Sequence, residues 1–252
     1  MPRYALGIEY DGTPYQGWQR QTNGPSVQAA LELAIADLAG GETRLTAAGR
    51  TDSGVHALGQ VAHVDLPKAY ADHAVRNAIN ARLRQEAIAI LWAKRVDDWF
   101  NARFDARWRR YRYRMLTRAA PPAIERDRVW HVPRALDVAA MTAAAQPLHG
   151  HHDFSSFRAA ECQAVTPMKT LDVLRVQRVG DEVHIEAKAR SFLHHQVRNM
   201  VGTLKLVGEG RWQADDVAAA LQAKDRAAAG PTAPACGLYF VEVGYDAPLA
   251  PG

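Results

Sequence analysis

The chain has 252 residues, 48% of them hydrophobic, enough for a sizeable core in one large domain or two of ordinary size. Lys and Arg number 31 against 27 Asp and Glu, a formal charge of +4 too small to name a partner, so the distribution of charge matters more than its sum. Cys162 and Cys236 belong to no CxxC or Cys/His pairing, and no apolar run is long enough to cross a bilayer, which speaks against a zinc ribbon, a redox dithiol or a membrane span and for a cytoplasmic protein.

RYALGIEY alternates like a strand and breaks at the turn dipeptide Asp11-Gly12. After the loop TPYQGWQRQTNGP, Ser26 can cap a helix whose Val27, Ala30, Leu31, Ala34, Ile35 and Leu38 follow helical spacing and which Gly40-Gly41 ends. A short strand, TRLTAAG, leads through the loop GRTDSGVHA into GQVAHVDL, with Val61, His63 and Asp65 on one face and Ala62, Val64 and Leu66 on the other. Residues 71–83 read as helix, AIAILWAKRV and RWRRYRYRML as strands, and PPAIERDRVWHVPR as a connection. A helix near 135–145, paired strands at 171–179 and 182–190, a long helix through HHQVRNMVGTLKLV, a helix at 213–224 and a closing strand GLYFVEVGY complete the pattern. The order predicts an α+β fold with mainly antiparallel strands, in two halves of similar element order divided near 105, residues 1–105 and 106–252.

NARFDARWRRYRYRMLTR carries seven arginines against one acid, Asp105. In a strand, Trp108, Arg110, Arg112 and Arg114 share one face and Arg109, Tyr111, Tyr113 and Met115 the other. Guanidinium groups beside aromatic rings suit RNA phosphates and bases, while a solvated charged face is the plainer reading of a charge run. Arg198 lies in a mostly apolar helix, where it either reaches solvent or pairs with Glu209, another structural acid or Asp52. Asp52 itself reads either as a turn former or as a carboxylate kept ionised by Arg50 or a distant arginine. Adjacent helical histidines such as His194 and His195 point apart, and the residue four on from His194 is the cation Arg198, so no metal site is expected there. GxxxxGK[ST], GxGxxG and GxSxG motifs are missing, which disfavours nucleotide hydrolysis, dinucleotide redox chemistry and serine hydrolysis.

YDGTPYQGWQRQ, AGRTDSGVHALGQVAHV, FDARWRRYRY, DFSSFRA, FLHHQVRNMVGTLKLVGEGR, AKDR and GLYFVEVGY follow one another from about residue 4 to residue 246. In these segments the chain resembles the bacterial tRNA pseudouridine synthase A family. The resemblance implies two α+β halves around a central antiparallel sheet with a cleft between them. It also implies isomerisation of uridine to pseudouridine at positions 38, 39 and 40 of the tRNA anticodon stem and loop, no cofactor and no metal, and a homodimer. Carried onto this sequence, Asp52 is the nucleophile, Arg198 the arginine paired with it, and Tyr111 the residue contacting the target base and a candidate to take its C5 proton. Arg50 would help hold the strand open; Arg109, Arg110, Arg112, Arg158, His194 and His195 are further candidate RNA contacts. The carboxylate would serve by attack at C6 of uracil, by attack at C1′ of ribose or by promoting a glycal. The rival reading, an RNA-binding module without catalysis, shares the arginine strand but predicts no change in the base. A metal-dependent nuclease using the histidine pairs would instead lose activity to a chelator.

Overall fold

A computed structural model describes residues 1–22 and 24–250. In chain order the elements are β1 (Arg3–Tyr10), α1 (Val27–Ala39), β2 (Thr46–Ala47), β3 (His56–Asp65), α2 (Asp72–Arg82), β4 (Ile88–Val96) and β5 (Trp108–Leu116). There follow β6 (Trp130–His131), α3 (Val138–Ala145), β7 (Gly150–Asp153), β8 (Met168–Val179), β9 (Glu182–Ala189), α4 (Gln196–Gly208), α5 (Ala214–Ala223) and β10 (Leu238–Gly244). The fold is α+β and its strand pairs are mostly antiparallel.

Two compact units divide the chain: Met1–Arg109 with the closing segment from Tyr239, and Arg110–Leu238. The boundary drawn from element order at 105 was linear, whereas the closing segment joins the first unit because β10 pairs in parallel with β3, Tyr239 opposite His56 and Phe240 opposite Ala57.

In the first unit the strand order is β4-β1-β3-β10, and β1 lies antiparallel to both β3 and β4. Its alternation puts Tyr4, Leu6 and Ile8 into a core closed by Leu31 and Ile35 of α1 and Val75 and Ile79 of α2, all fully buried. Each such side chain contributes roughly 1.5–3 kcal/mol by leaving water. The predicted limits of α1 hold for stated reasons: the Ser26 hydroxyl accepts the Ala29 N–H, and Gly40 takes φ 73° at the C-cap.

In the second unit the order is β5-β9-β8-β7. The hairpin β8–β9 turns through Gly180 at φ 56°, and along β9 Val183, Ile185, Ala187 and Ala189 are buried while Glu182, His184, Glu186 and Lys188 alternate with them. Asp137 caps α3 and Gln213 caps α5, so these helices begin where their caps lie. Two strands have no counterpart in the sequence reading: β6 falls inside the connection PPAIERDRVWHVPR, and β7 is the four-residue run GHHD, both too short to display a period. No helix among the described residues is long and apolar enough to cross a membrane.

Candidate active site

Asp52 stands in the link from β2 to β3, and the first unit holds that link from several directions. The Ala48 N–H donates to Val61 O at 2.7 Å, and the Gly49 carbonyl accepts Nε2 of the fully buried Gln60 at 2.7 Å. The Thr51 hydroxyl meets the buried Tyr10 hydroxyl at 2.7 Å, and the Thr51 carbonyl accepts the Trp18 N–H at 3.0 Å. Burial pushes the Tyr10 phenol well above its ordinary range, so it stays a neutral hydroxyl beneath the loop. The turn Asp52–Val55 is closed by the Val55 N–H on the main-chain carbonyl of Asp52, 3.1 Å, with Gly54 at φ 75°. The turn is thus closed through the Asp52 backbone, and its side chain is half-buried.

The glycines of the preceding loop allow this packing. A Cβ on Gly12 would lie 2.0 Å from Val55 O, and one on Gly17, already at φ 91°, would lie 2.6 Å from Thr51 O. Neither backbone atom can retreat without moving the Asp52 turn. The Gly12 N–H also donates to Nδ1 of His56, a buried ring stacked on Tyr239 at 4.7 Å. Tyr10, Gly17 and Gln60 were not singled out from the sequence, and Gly12 was marked there only as part of the turn dipeptide Asp11-Gly12.

Arg109 belongs to this support. It is only 8% exposed, and its guanidinium donates to Ala48 O (2.7 and 3.2 Å), Ala106 O (3.2 Å) and Arg103 O (2.6 Å). These bonds place it beneath the Asp52 link, facing protein carbonyls instead of the surface an RNA phosphate would reach. Arg109→Ala is expected to cost about 2 kcal/mol and lower Tm by roughly 5 °C, since buried carbonyls lose charged donors. A phosphate contact would instead leave Tm unchanged and reduce the salt slope of tRNA binding by about 1; calorimetry and a salt titration read the two.

Tyr111, Arg158, Arg198, His194 and His195 lie in the second unit. The two tyrosines of YRY differ in environment. Tyr113 is fully buried, donates to Pro234 O at 2.7 Å and has its phenol pushed up by burial, whereas Tyr111 is half-buried with its ring edge-on to Phe192 at 5.1 Å. Tyr113 is thus part of the packing, while Tyr111 is less enclosed.

The helix α4 starts at Gln196, later than expected, because His195 adopts φ 62°. The expectation that His194 and His195 diverge as helical neighbours is corrected: both precede the helix, and their rings lie 4.0 Å apart. Arg198, in the first turn of α4, donates Nε to Ala233 O at 2.8 Å while its own carbonyl accepts the Ala233 N–H at 3.1 Å. The adjacent Asn199, fully buried, donates to Phe157 O (2.9 Å) and accepts from Thr232 Oγ1 (2.6 Å) and Arg226 of the AKDR segment (3.2 Å). A Cβ on Gly202 would lie 1.7 Å from Pro231 O, so this loop approaches α4 as closely as a glycine permits. The network sets the direction of Arg198 from the protein side.

Of the expected RNA contacts, Arg112 pairs with Glu186 at 3.1 Å, and its neighbour Arg114 pairs with Glu182 at 2.7 Å and Glu125 at 2.9 Å. The cationic face of β5 is therefore laced to glutamates, two of them on the adjoining β9, which the charge count of the local run did not include. Arg110 is half-buried, Arg158 donates to Cys162 O at 2.8 Å, and Arg50 is exposed.

A family model described as tRNA pseudouridine synthase matches residues 7–105 and 144–246, spanning the Asp52 link, α4 and β10. The chain belongs to the tRNA pseudouridine synthase family. Among similar relatives are proteins named tRNA pseudouridine synthase A from Rhodospirillum rubrum, 61% identical over 99% of this chain and 90% of the relative, and from Paramagnetospirillum magneticum, 60% identical over 98% and 96%. A third, from a Caulobacter strain, is 59% identical over 98% of this chain and 99% of the relative. Membership in the tRNA pseudouridine synthase family makes the chain an isomerase acting on tRNA uridine.

Proposed function

We propose that this enzyme converts uridine to pseudouridine at positions 38, 39 and 40 of the tRNA anticodon arm, with Asp52 as the nucleophile. The family match over both units carries the reading; the rigid support of the Asp52 turn gives it physical sense. The reaction breaks the bond from C1′ to N1, turns the uracil, joins C1′ to C5, releases the C5 proton and leaves N1 protonated. An ionised carboxylate on a fixed turn can hold the reactive fragment covalently while the base rotates. In this reading the Arg198 guanidinium keeps Asp52 deprotonated and oriented, because a neighbouring cation favours the carboxylate. Tyr111 offers a ring face to the uracil and, as the phenolate, an oxygen to receive the C5 proton.

A base in a stem must leave its stack first, and the exposed Arg50, two residues before Asp52, is placed in sequence to hold the strand open. Arg110, Arg158, His194 and His195 act as further RNA contacts, with no metal or organic cofactor. The enzyme works in the cytoplasm as a homodimer. Incubation with unmodified tRNA transcripts followed by carbodiimide mapping should place pseudouridine at 38, 39 and 40. Pseudouridine elsewhere would keep the reaction and overturn the positions; no pseudouridine would overturn both.

A further inference from the structure

The segment between β4 and β5 presents a cation and an aromatic ring to solvent on a loop that is otherwise tied down. Phe104 is 73% exposed, and the Arg103 guanidinium lies over its ring at 5.6 Å. The tip is shaped by Asn101, whose side-chain oxygen accepts the N–H groups of Arg103 (3.0 Å) and Phe104 (3.1 Å). The loop's acid is engaged locally: the carboxylate of the exposed Asp105 accepts the Asn101 N–H at 2.8 Å. Among the described residues no carboxylate lies within ion-pair distance of the Arg103 guanidinium, so the tip offers positive charge beside an aromatic face.

The base of the loop is fastened as firmly. The fully buried Ala102 donates to His63 Nδ1 at 3.1 Å and accepts from the Tyr245 hydroxyl at 2.7 Å. Burial lowers the His63 pKa, which keeps Nδ1 an acceptor. Arg109 donates both to Arg103 O and to Ala48 O, so one guanidinium joins this loop to the link bearing Asp52. Trp99, 80% exposed, stands beside Asp97 and Asp98, and that acidic flank is not part of the site.

We propose that Phe104 and Arg103 form a stacking contact for an unpaired base of the RNA substrate, with Arg103 meeting an adjoining phosphate. An exposed ring costs little to desolvate against a base, and a ring on a fixed loop loses little freedom on binding. The chemistry requires an aromatic, anionic ligand, which RNA supplies at every unpaired nucleotide. The inference rests on the reading of tRNA as substrate.

Its test is the affinity of labelled unmodified tRNA, by anisotropy, for variants made in the Asp52→Asn background. Phe104→Ala should weaken binding about tenfold, Phe104→Tyr should restore it and Phe104→Leu should not, because stacking needs a ring. Arg103→Gln should reduce the salt slope by about 1. Thermal unfolding should be unchanged in each, as these side chains face solvent. Equal affinity of the Phe104→Leu variant and its Asp52→Asn parent would overturn the contact. So would unchanged affinity together with altered sedimentation of the RNA-free protein, which would assign the ring to a second copy of the chain. Loss of affinity in Phe104→Ala when the parent with Asp52 restored forms no pseudouridine would keep the contact and overturn the isomerase reading alone.

Discussion

Arg198→Ala is expected to lower the rate of pseudouridine formation by about 100- to 1,000-fold, the usual loss when one fixed charge-stabilising group is removed. The affinity for tRNA should change by less than about threefold, because an interaction directed at the reacting groups acts on kcat more than on binding. The backbone of α4 survives this change: the Ala233 N–H still finds the main-chain carbonyl of residue 198, and Asn199 keeps Phe157, Thr232 and Arg226. Arg198→Lys should recover little, since an ammonium keeps the charge but lacks the Nε–H that holds the side chain to Ala233 O. Single-turnover kinetics with saturating enzyme separate the two effects. A variant with normal single-turnover rate and weakened binding would reassign Arg198 to a phosphate.

Much of the fold could be read locally. The ends of α1 were marked by Ser26 and Gly40, and the paired strands expected at 171–179 and 182–190 are β8 and β9. What escaped depends on residues far apart in sequence. The parallel pairing of β10 with β3 returns the closing segment to the first unit, and nothing near residue 239 signals that partner. The positive φ of His195, which delays the start of α4, has no glycine to announce it.

The site shows the same division. Asp52, Arg198 and Tyr111 were named through whole motifs, while their supports are buried polar pairs such as Tyr10 with Thr51, separated by 41 positions. Arg109 is the instructive case. Strand parity places it with Tyr113 and Met115, both fully buried, and with the half-buried Tyr111, so parity alone does not reveal its bonds to Ala48 O and Arg103 O. The local charge count left out Glu186 and Glu182, which pair with Arg112 and Arg114 from a strand far along the chain.

Asp52→Asn should have the largest effect of any single change. The amide is nearly isosteric, and the turn is closed by the main-chain carbonyl of residue 52, so the fold and tRNA binding should persist. The neutral amide cannot act as the nucleophile, and the loss should be at least about 10,000-fold, as for a nucleophile removed from an otherwise intact site. Release of tritium from tRNA labelled at uridine C5 reports the step in which that proton leaves. Wild-type enzyme should release it and Asp52→Asn should release none above background while binding the same tRNA; full release by Asp52→Asn would contradict the assignment of Asp52 as nucleophile.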